Sequence, residues 1–337
     1  MAIKLKPLDE QVIVITGASS GIGLVTARMA AKRGAKVFLI ARGEDELKDI
    51  VAGIEQDGGT AAYAAVDVAD AGAVRAAADG VVAKFGRIDT WVNNAGVALY
   101  AKLLDTPEHE HQQLFQTNYF GMVHGVRAAM PHLKEKGGAL ITVGSVASDI
   151  PSPIMGAYAA SKHAAKAYIE SLRIETAADK LPVSITLIKP AGIDTPIAEH
   201  SANHLEGEAL IPPPLYNPEI VAETILDAAT RPRREVTVGG MGRFQVLMAE
   251  HFPWMLELLG GVMPKMLHDP AIAKTEGDNL DQPIEDGRER SRHQSGRSFS
   301  VYTAAGRAPG WVKGAAAVGL FAGLLALGAS SRKREAD

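Results

Sequence analysis

Tyr158-Ala159-Ala160-Ser161-Lys162 sets a phenol and an ammonium four residues apart. On a helix, residues i and i+4 share a face. A phenol titrates near pH ~10, too high for a base at neutral pH. A neighbouring ammonium favours the phenolate and draws that value down. Such a tyrosine can exchange a proton with an alcohol or ketone while hydride moves to or from a nicotinamide. By spacing alone the two residues mean little and read first as a surface pair.

A second group of residues suits phosphate. Thr16-Gly17-Ala18-Ser19-Ser20-Gly21-Ile22-Gly23 lies between an apolar run, Val12–Thr16, and an Ala-rich stretch with helical spacing, Gly21–Lys32. The start of a helix offers free N–H groups and the positive end of its dipole. Gly17 permits a tight turn, and Gly21 and Gly23 let backbone and helix approach a pyrophosphate closely. After the second apolar run, Lys36–Ala41, the next residue is Arg42, and no acid occurs before Glu44. An acid at that point would bind the ribose 2′-hydroxyl of NAD, whereas an arginine fork suits the 2′-phosphate of NADP. NADP(H) is therefore favoured over NAD(H). Asp67-Val68 follows the third run; the Asp67 carboxylate either accepts from an adenine amino group or caps the next helix.

Other chemistries are poorly provided for. Without cysteine there is no disulfide, thiol nucleophile or Cys-ligated zinc. His109 and His111 are two apart on a predicted helix and face apart, so they do not chelate one metal. His163 points off the face of Lys162. A net charge of -4 gives no reason to expect nucleic acid.

The elements that must position these residues follow a strand–helix rhythm. Strands are predicted over Val12–Thr16, Lys36–Ala41, Ala61–Val66, Ile88–Val92, Ala139–Val143, Val183–Ile188 and Glu235–Val238. Helices are predicted over Gly21–Lys32, Gly43–Gln56, Ala71–Phe85, Ala157–Ala178 and Pro218–Ala229. A further helix is expected to start with Thr106 as N-cap and Pro107 at its first position and to run to about Met130. The alternation implies an α/β fold, a doubly wound parallel sheet of Rossmann type.

In this order and spacing the chain resembles the classical short-chain dehydrogenase/reductase family over about residues 11–240. The resemblance rests on Thr16–Gly23 as TGxxxGxG, Asn93-Asn94-Ala95-Gly96, Asn118, Ser145 and Tyr158-x-x-x-Lys162. It implies Tyr158 as catalytic acid/base, with Lys162 supporting it and binding the nicotinamide ribose. It also implies Ser145 on the substrate oxygen and Asn118 holding a water of the proton relay. For the cofactor it implies Gly17, Ser19, Ser20, Gly21, Ile22, Gly23, Arg42, Asp67, Val68, Asn94, Ala95 and Gly96, then Pro190, Ile193 and Thr195 at the carboxamide. Here the chain departs from the family, reading Pro190-Ala191-Gly192 where Pro-Gly is usual, so the backbone path at Ala191 is the open point. The family also implies a small carbonyl or alcohol substrate and a homodimer or homotetramer. Extended epimerases carry TGxxGxxG, which is absent.

The regular pattern stops near Gly240. Three regions are expected: a catalytic domain over 1–240, an apolar helical segment and polar basic linker over 241–310, and an apolar Gly/Ala-rich tail over 311–337. Phe244–Leu267 carries more apolar surface than a solvated helix needs. It either caps the cleft for a lipophilic substrate or packs on its own domain or a second subunit. Gly314–Ala329 is uncharged, ~24 Å long as a helix and short of a ~30 Å hydrocarbon core. It is read as a membrane attachment, by a tail anchor or in plane, against the alternative of a helix packed on another subunit. The N-terminus has no signal core, so a cytoplasmic protein is expected, attached to the membrane through its tail. The competing readings are a nucleotide-binding regulator and a membrane-tethered scaffold, each without turnover.

Overall fold

The computed structural model describes residues 3–307. Seven strands form one all-parallel sheet: β1 (Val12–Thr16), β2 (Lys36–Ala41), β3 (Thr60–Ala65), β4 (Thr90–Asn93), β5 (Gly138–Val143), β6 (Val183–Pro190) and β7 (Glu235–Val238). Their order is β7-β6-β5-β4-β1-β2-β3. The winding reverses between β1 and β4, and a ligand crevice opens where strand order reverses.

Central strands are apolar at successive positions because both faces are covered. Ile13, Ile15, Leu39 and Ile141 bury into one layer, and Val12, Val14, Ile40 and Leu140 into the other. The first layer is closed by α1 (Gly21–Lys32), α2 (Glu44–Gln56) and α7 (Pro218–Thr230). The second is closed by α3 (Ala71–Phe85), α5 (Gly121–Lys136) and α6 (Gly156–Ala178).

The helix expected from Thr106 to Met130 is three pieces: α4 (Glu108–Phe115), a π-helical turn over Gln116–Phe120, and α5. Thr106 does not cap it. Its hydroxyl donates to the Lys102 carbonyl, and Pro107 sits in extended conformation before Glu108. A π turn inside a helix shifts the side chains after it and is frequent at functional sites. This one carries Asn118.

Beyond β7, α8 (Gly240–His251) and α9 (Trp254–Leu259) are followed by residues 270–300, almost without regular structure, and by α10 (Val301–Arg307). The irregular stretch returns across the carboxyl ends of the strands. Asn279 N–H donates to His200 O at 2.9 Å, Gly21 N–H to Arg288 O at 2.9 Å, and Arg297 N–H to Leu215 O at 2.9 Å. The apolar tail and its basic Arg332–Arg334 lie outside the described residues. Among the described residues, no helix is long and apolar enough to cross a membrane.

Candidate active site

Thr16 at the end of β1 organises the crevice. Its hydroxyl accepts from the N–H groups of Asn94 and Ala95 at 3.0 and 3.1 Å. The Asn94 amide donates to the carbonyls of Thr16 and Gly17 at 3.0 Å each. These bonds tie the β1–α1 turn to the end of β4 across the switch point. The glycine spacing alone assigns Thr16 no role of its own; the signal for one is its position directly before Gly17.

The turn is built for close approach. Gly17 and Gly21 hold φ of 63° and 51°, where a Cβ is strained. A Cβ on Gly17 would stand 2.7 Å from Ala95 Cα, and one on Gly23 would overlap the Gly17 carbonyl oxygen. The N-terminus of α1 therefore sits directly over the turn, with Ser19, Ser20, Gly21 and Ile22 on the wall of a 590 Å³ cavity. A cradle that admits no side chain, at a helix N-terminus, fits the phosphates of a dinucleotide.

Asp67 and Val68 line the same cavity, as does Arg42. The cap of α3 is Asp70, whose carboxylate accepts from Gly72 and Ala73 N–H. This excludes the capping alternative for Asp67, which instead accepts from Ala69 N–H at 2.8 Å. Val68 is packed against Gly121, and its carbonyl meets the His124 ring at 2.9 Å. Arg42 is already engaged: its guanidinium donates to the carbonyls of Asn279, Leu280 and Gln282 at 2.5, 3.2 and 3.3 Å.

The catalytic candidates converge on the other end of the cavity. Ser145 follows β5 and opens a short 3-10 turn, its hydroxyl accepting from Ala147 N–H at 3.1 Å. Tyr158 and Lys162 lie in the first two turns of α6, both buried. Lys162 Nζ lies 5.7 Å from the centre of the Tyr158 ring and donates to Val143 O at 3.4 Å. Gly96 stands between Lys162 and Asn118: a Cβ there would be 3.3 Å from Lys162 Nζ and 3.2 Å from Asn118 Oδ1.

The electrostatics differ from the simple expectation that the ammonium draws the phenol down. Burial pushes the Tyr158 phenol above its ordinary value, and the hydrogen bond from Ser145 pulls the other way without overcoming it. Burial also brings the Lys162 ammonium down to about 8. The phenol is thus protonated at neutral pH in this state.

Asn118 uses its side chain on the backbone. It accepts from Val97 N–H at 2.8 Å and donates to Val97 O at 3.0 Å and to Ser161 Oγ at 3.1 Å. The π turn is thereby pinned to the segment after β4. At the end of β6, Pro190, Ile193 and Thr195 line the cavity. The path at Ala191 is regular: its N–H donates to Val238 O at 2.8 Å, and its methyl packs where Gly239 and Gly242 carry no side chain.

Met241, Phe244, Met248, Phe252, Met255 and Leu259 from α8, α9 and the turn between them line the same cavity as Ser145 and Tyr158. Among the described residues, no cluster of three or more His, Cys, Asp or Glu is placed to hold a metal.

A doubly wound parallel sheet with a phosphate cradle at its switch point and a Ser–Tyr–Lys group beside it defines an oxidoreductase class. The chain belongs to the short chain dehydrogenase family, whose sequence profile matches residues 11–206. It is 39% identical over 341 residues to an uncharacterized oxidoreductase, YxnA, of Bacillus subtilis (strain 168), covering 98% of this chain and 94% of the relative. Among solved structures it resembles an alcohol dehydrogenase from the archaeon Thermococcus sibiricus complexed with 5-hydroxy-NADP. That match has 28% identity and a TM-score of 0.60 over 68% of this chain and 95% of the other. It also resembles a short chain dehydrogenase/reductase from Burkholderia phymatum in complex with NAD, at 25% identity and TM-score 0.68 over 74% and 96% of the two chains.

Proposed function

We propose that this protein is an NADP(H)-dependent oxidoreductase interconverting a lipophilic secondary alcohol and its ketone or aldehyde, with Tyr158 as acid/base. The observation that carries the reading is that Ser145, Tyr158 and Lys162 face one cavity continuous with the Gly17–Gly23 cradle and with the apolar wall of α8 and α9. The turnover-free regulator or scaffold has no comparable support, because every residue of the catalytic pattern is intact.

The dinucleotide would be held by Gly17, Ser19–Gly23, Asp67, Val68, Asn94–Gly96, Pro190, Ile193 and Thr195, with Arg42 toward the 2′-phosphate. When bound, it supplies or accepts the hydride. Ser145 donates to the substrate oxygen and keeps it beside Tyr158. The Tyr158 phenol, protonated at neutral pH, gives its proton to that oxygen in reduction and takes one back in oxidation. Lys162, charged below pH about 8, stabilises the phenolate that the proton leaves behind. Asn118 fixes the Val97 segment and, through it, the side of the cavity next to Lys162. The reading divides the chain near 240 and 310 and includes a homodimer or homotetramer.

The apolar wall supports a lipophilic substrate, since thioether and hydrocarbon side chains supply no partner for a polar one. NADPH oxidation should be followed against ketones graded from short and polar to long-chain or polycyclic. Apolar ketones should be preferred, and Met248→Gln should narrow the preference. A flat response across the panel rejects the lipophilic substrate, and faster oxidation of NADH than NADPH rejects the cofactor.

The outer face of the same helices favours a membrane-apposed cytoplasmic enzyme. Trp254 and Leu258 of α9 and Val262 just after it are exposed and off the cavity wall, Leu258 at 74%, and Phe244 and Phe252 of that wall are also open to solvent. Apolar side chains on both the cavity and solvent sides of one short segment suit uptake from a bilayer. With vesicles of mixed zwitterionic and anionic lipid, the full chain should co-sediment. A chain ending at residue 307 with Trp254→Ser and Leu258→Ser should not. Full-chain protein left in the supernatant rejects the attachment.

A further inference from the structure

The stretch from Asp278 to Arg292 lies against the two groups that the proposed cofactor needs for its phosphates. Gly21 N–H, at the N-terminus of α1, donates to the Arg288 carbonyl at 2.9 Å. The Arg42 guanidinium donates to three carbonyls of the same stretch, Asn279, Leu280 and Gln282. Asn279, Pro283 and Ile284 form part of the cavity wall at this end. The strap side of these contacts lies beyond residue 206, outside the part of the chain that the family profile matches.

Based on the proposed dinucleotide site, we propose that residues 278–292 form an intramolecular strap that occupies the phosphate donors of the cofactor cradle and is displaced by the dinucleotide. A carbonyl oxygen and a phosphate oxygen want the same N–H, and one donor hydrogen cannot serve both fully. The phosphate brings more charge, so it makes the stronger bond. Charge also sets strap and phosphate against each other. Asp278, Asp281, Glu285, Asp286 and Glu289 lie along the strap against Arg288, Arg290 and Arg292, and the part from 278 to 287 that lies on Arg42 carries acids and no basic residue. Polyphosphate brought against that run meets like charge at short range.

Leu280 seats the strap in the apolar cluster that contains Tyr100 and Tyr158, and the rest of it is latched by hydrogen bonds and ion pairs, among them Arg28–Glu289, His200–Asp286 and Arg290–Glu219. The Arg288 side chain donates to Glu199 at 2.6 Å and to Asp286, and it reaches the His200 ring at 3.3 Å. Gly287 N–H donates to Glu46 at 2.8 Å. Glu46 is itself crowded: burial, Glu285 and Asp286 bring its carboxyl up to about 7. On the far side, Ser291 and Arg292 N–H bond Asp194 and Glu199 in the segment after β6. Release of the strap therefore touches the cofactor cradle and the segment over the substrate end together.

The test uses the full chain with NADPH, followed by limited trypsin cleavage with the cut sites mapped by mass. Saturating NADPH should speed cleavage after Arg288 and Arg290, because the strap leaves its seat. Unchanged or slower cleavage overturns the proposal and makes the strap a fixed wall or a clamp. By fluorescence titration, Arg288→Ala should tighten NADPH binding by about tenfold, because less of the chain is held in the closed form. An unchanged or weaker affinity overturns it. If that variant does not fold, the cleavage experiment on the unaltered chain still decides. Failure of the unaltered chain to bind either NADPH or NADH removes the proposed function, and the strap's role with it. Binding with protection removes the strap alone.

Discussion

Tyr158→Phe is expected to lower kcat/KM for ketone reduction by about 10³-fold, the usual worth of a positioned general acid, while the affinity for NADPH is retained. The substitution removes one hydroxyl and keeps the ring, which is buried among Tyr100, Leu114 and Ala157. Stability should therefore change little. The chemistry should change greatly, because no other side chain is placed to replace the proton. Ser145 is a neutral alcohol, a far weaker acid than the phenol, and Lys162 Nζ lies over the face of the ring, 5.7 Å from its centre. The pH profile carries a second check. Burial destabilises the Lys162 ammonium, so its proton leaves at about 8 rather than at the ordinary lysine value. Above that pH the positive charge behind the phenol is lost, and the phenolate left by proton donation is no longer stabilised. The reductive rate should fall through a limb near pH 8. Lys162→Arg should move that limb upward, because a guanidinium keeps its charge there. Equal turnover by the phenylalanine variant would refute the acid/base role.

Much of the fold was readable because the strand runs are apolar at successive positions, as a sheet covered on both faces requires. Glycines and polar residues mark their ends. The ends of β1, β2 and β7 were read to the residue. The region from 106 to 136 was not. Thr-Pro-Glu is a common helix start, but Thr106 spends its hydroxyl on Lys102, and nothing local in Gln116–Phe120 announces a π turn. That turn is imposed by tertiary contacts, chiefly the three bonds from Asn118 to Val97 and Ser161. The Tyr158–Lys162 geometry was legible from spacing, whereas the direction of the phenol shift was not. Spacing reports who is near, and burial, which decides the sign here, depends on the whole packed cavity. Arg42 shows the same limit. Its place after β2 was plain, and its three carbonyl partners lie some 240 residues away in sequence, beyond any local pattern.

The cavity joins two kinds of residue that the chain treats differently. The cradle and the catalytic group sit on rigid elements buried by the sheet, so their geometry is fixed before any ligand arrives. The substrate wall and the strap come from residues 241–300, held by short helices, side-chain ion pairs and isolated backbone bonds. Such segments open at lower free energy than core strands. On the proposed function, residues up to 240 would carry the reaction and the segment after them would decide what reaches it and when, so the two could vary separately.

Gly23→Ala tests the rigid half, because among the described glycines none would bring a new Cβ closer to another atom. Its Cβ would overlap the Gly17 carbonyl oxygen and stand 2.6 Å from the Asn94 amide nitrogen. Neither neighbour is free to retreat. Gly17 is held at φ 63° in the turn, and the Asn94 amide is bonded to Thr16 and Gly17. Helix α1 must then lift off β1, which opens the layer formed by Leu24 and Ala27 against Ile13 and Ile15. Overpacking of this kind costs about 3 kcal/mol, measurable by chemical denaturation. The lift also moves the Ser19–Ile22 N–H groups, so NADPH affinity should fall by at least about tenfold, equivalent to ~1.4 kcal/mol. Gly53→Ala supplies the contrast. That glycine lies inside α2 with nothing within 4 Å of a new Cβ. There alanine should stabilise the helix by about 1 kcal/mol and leave NADPH binding alone. If Gly23→Ala binds NADPH as tightly as the parent chain, the cradle is not where the phosphates sit.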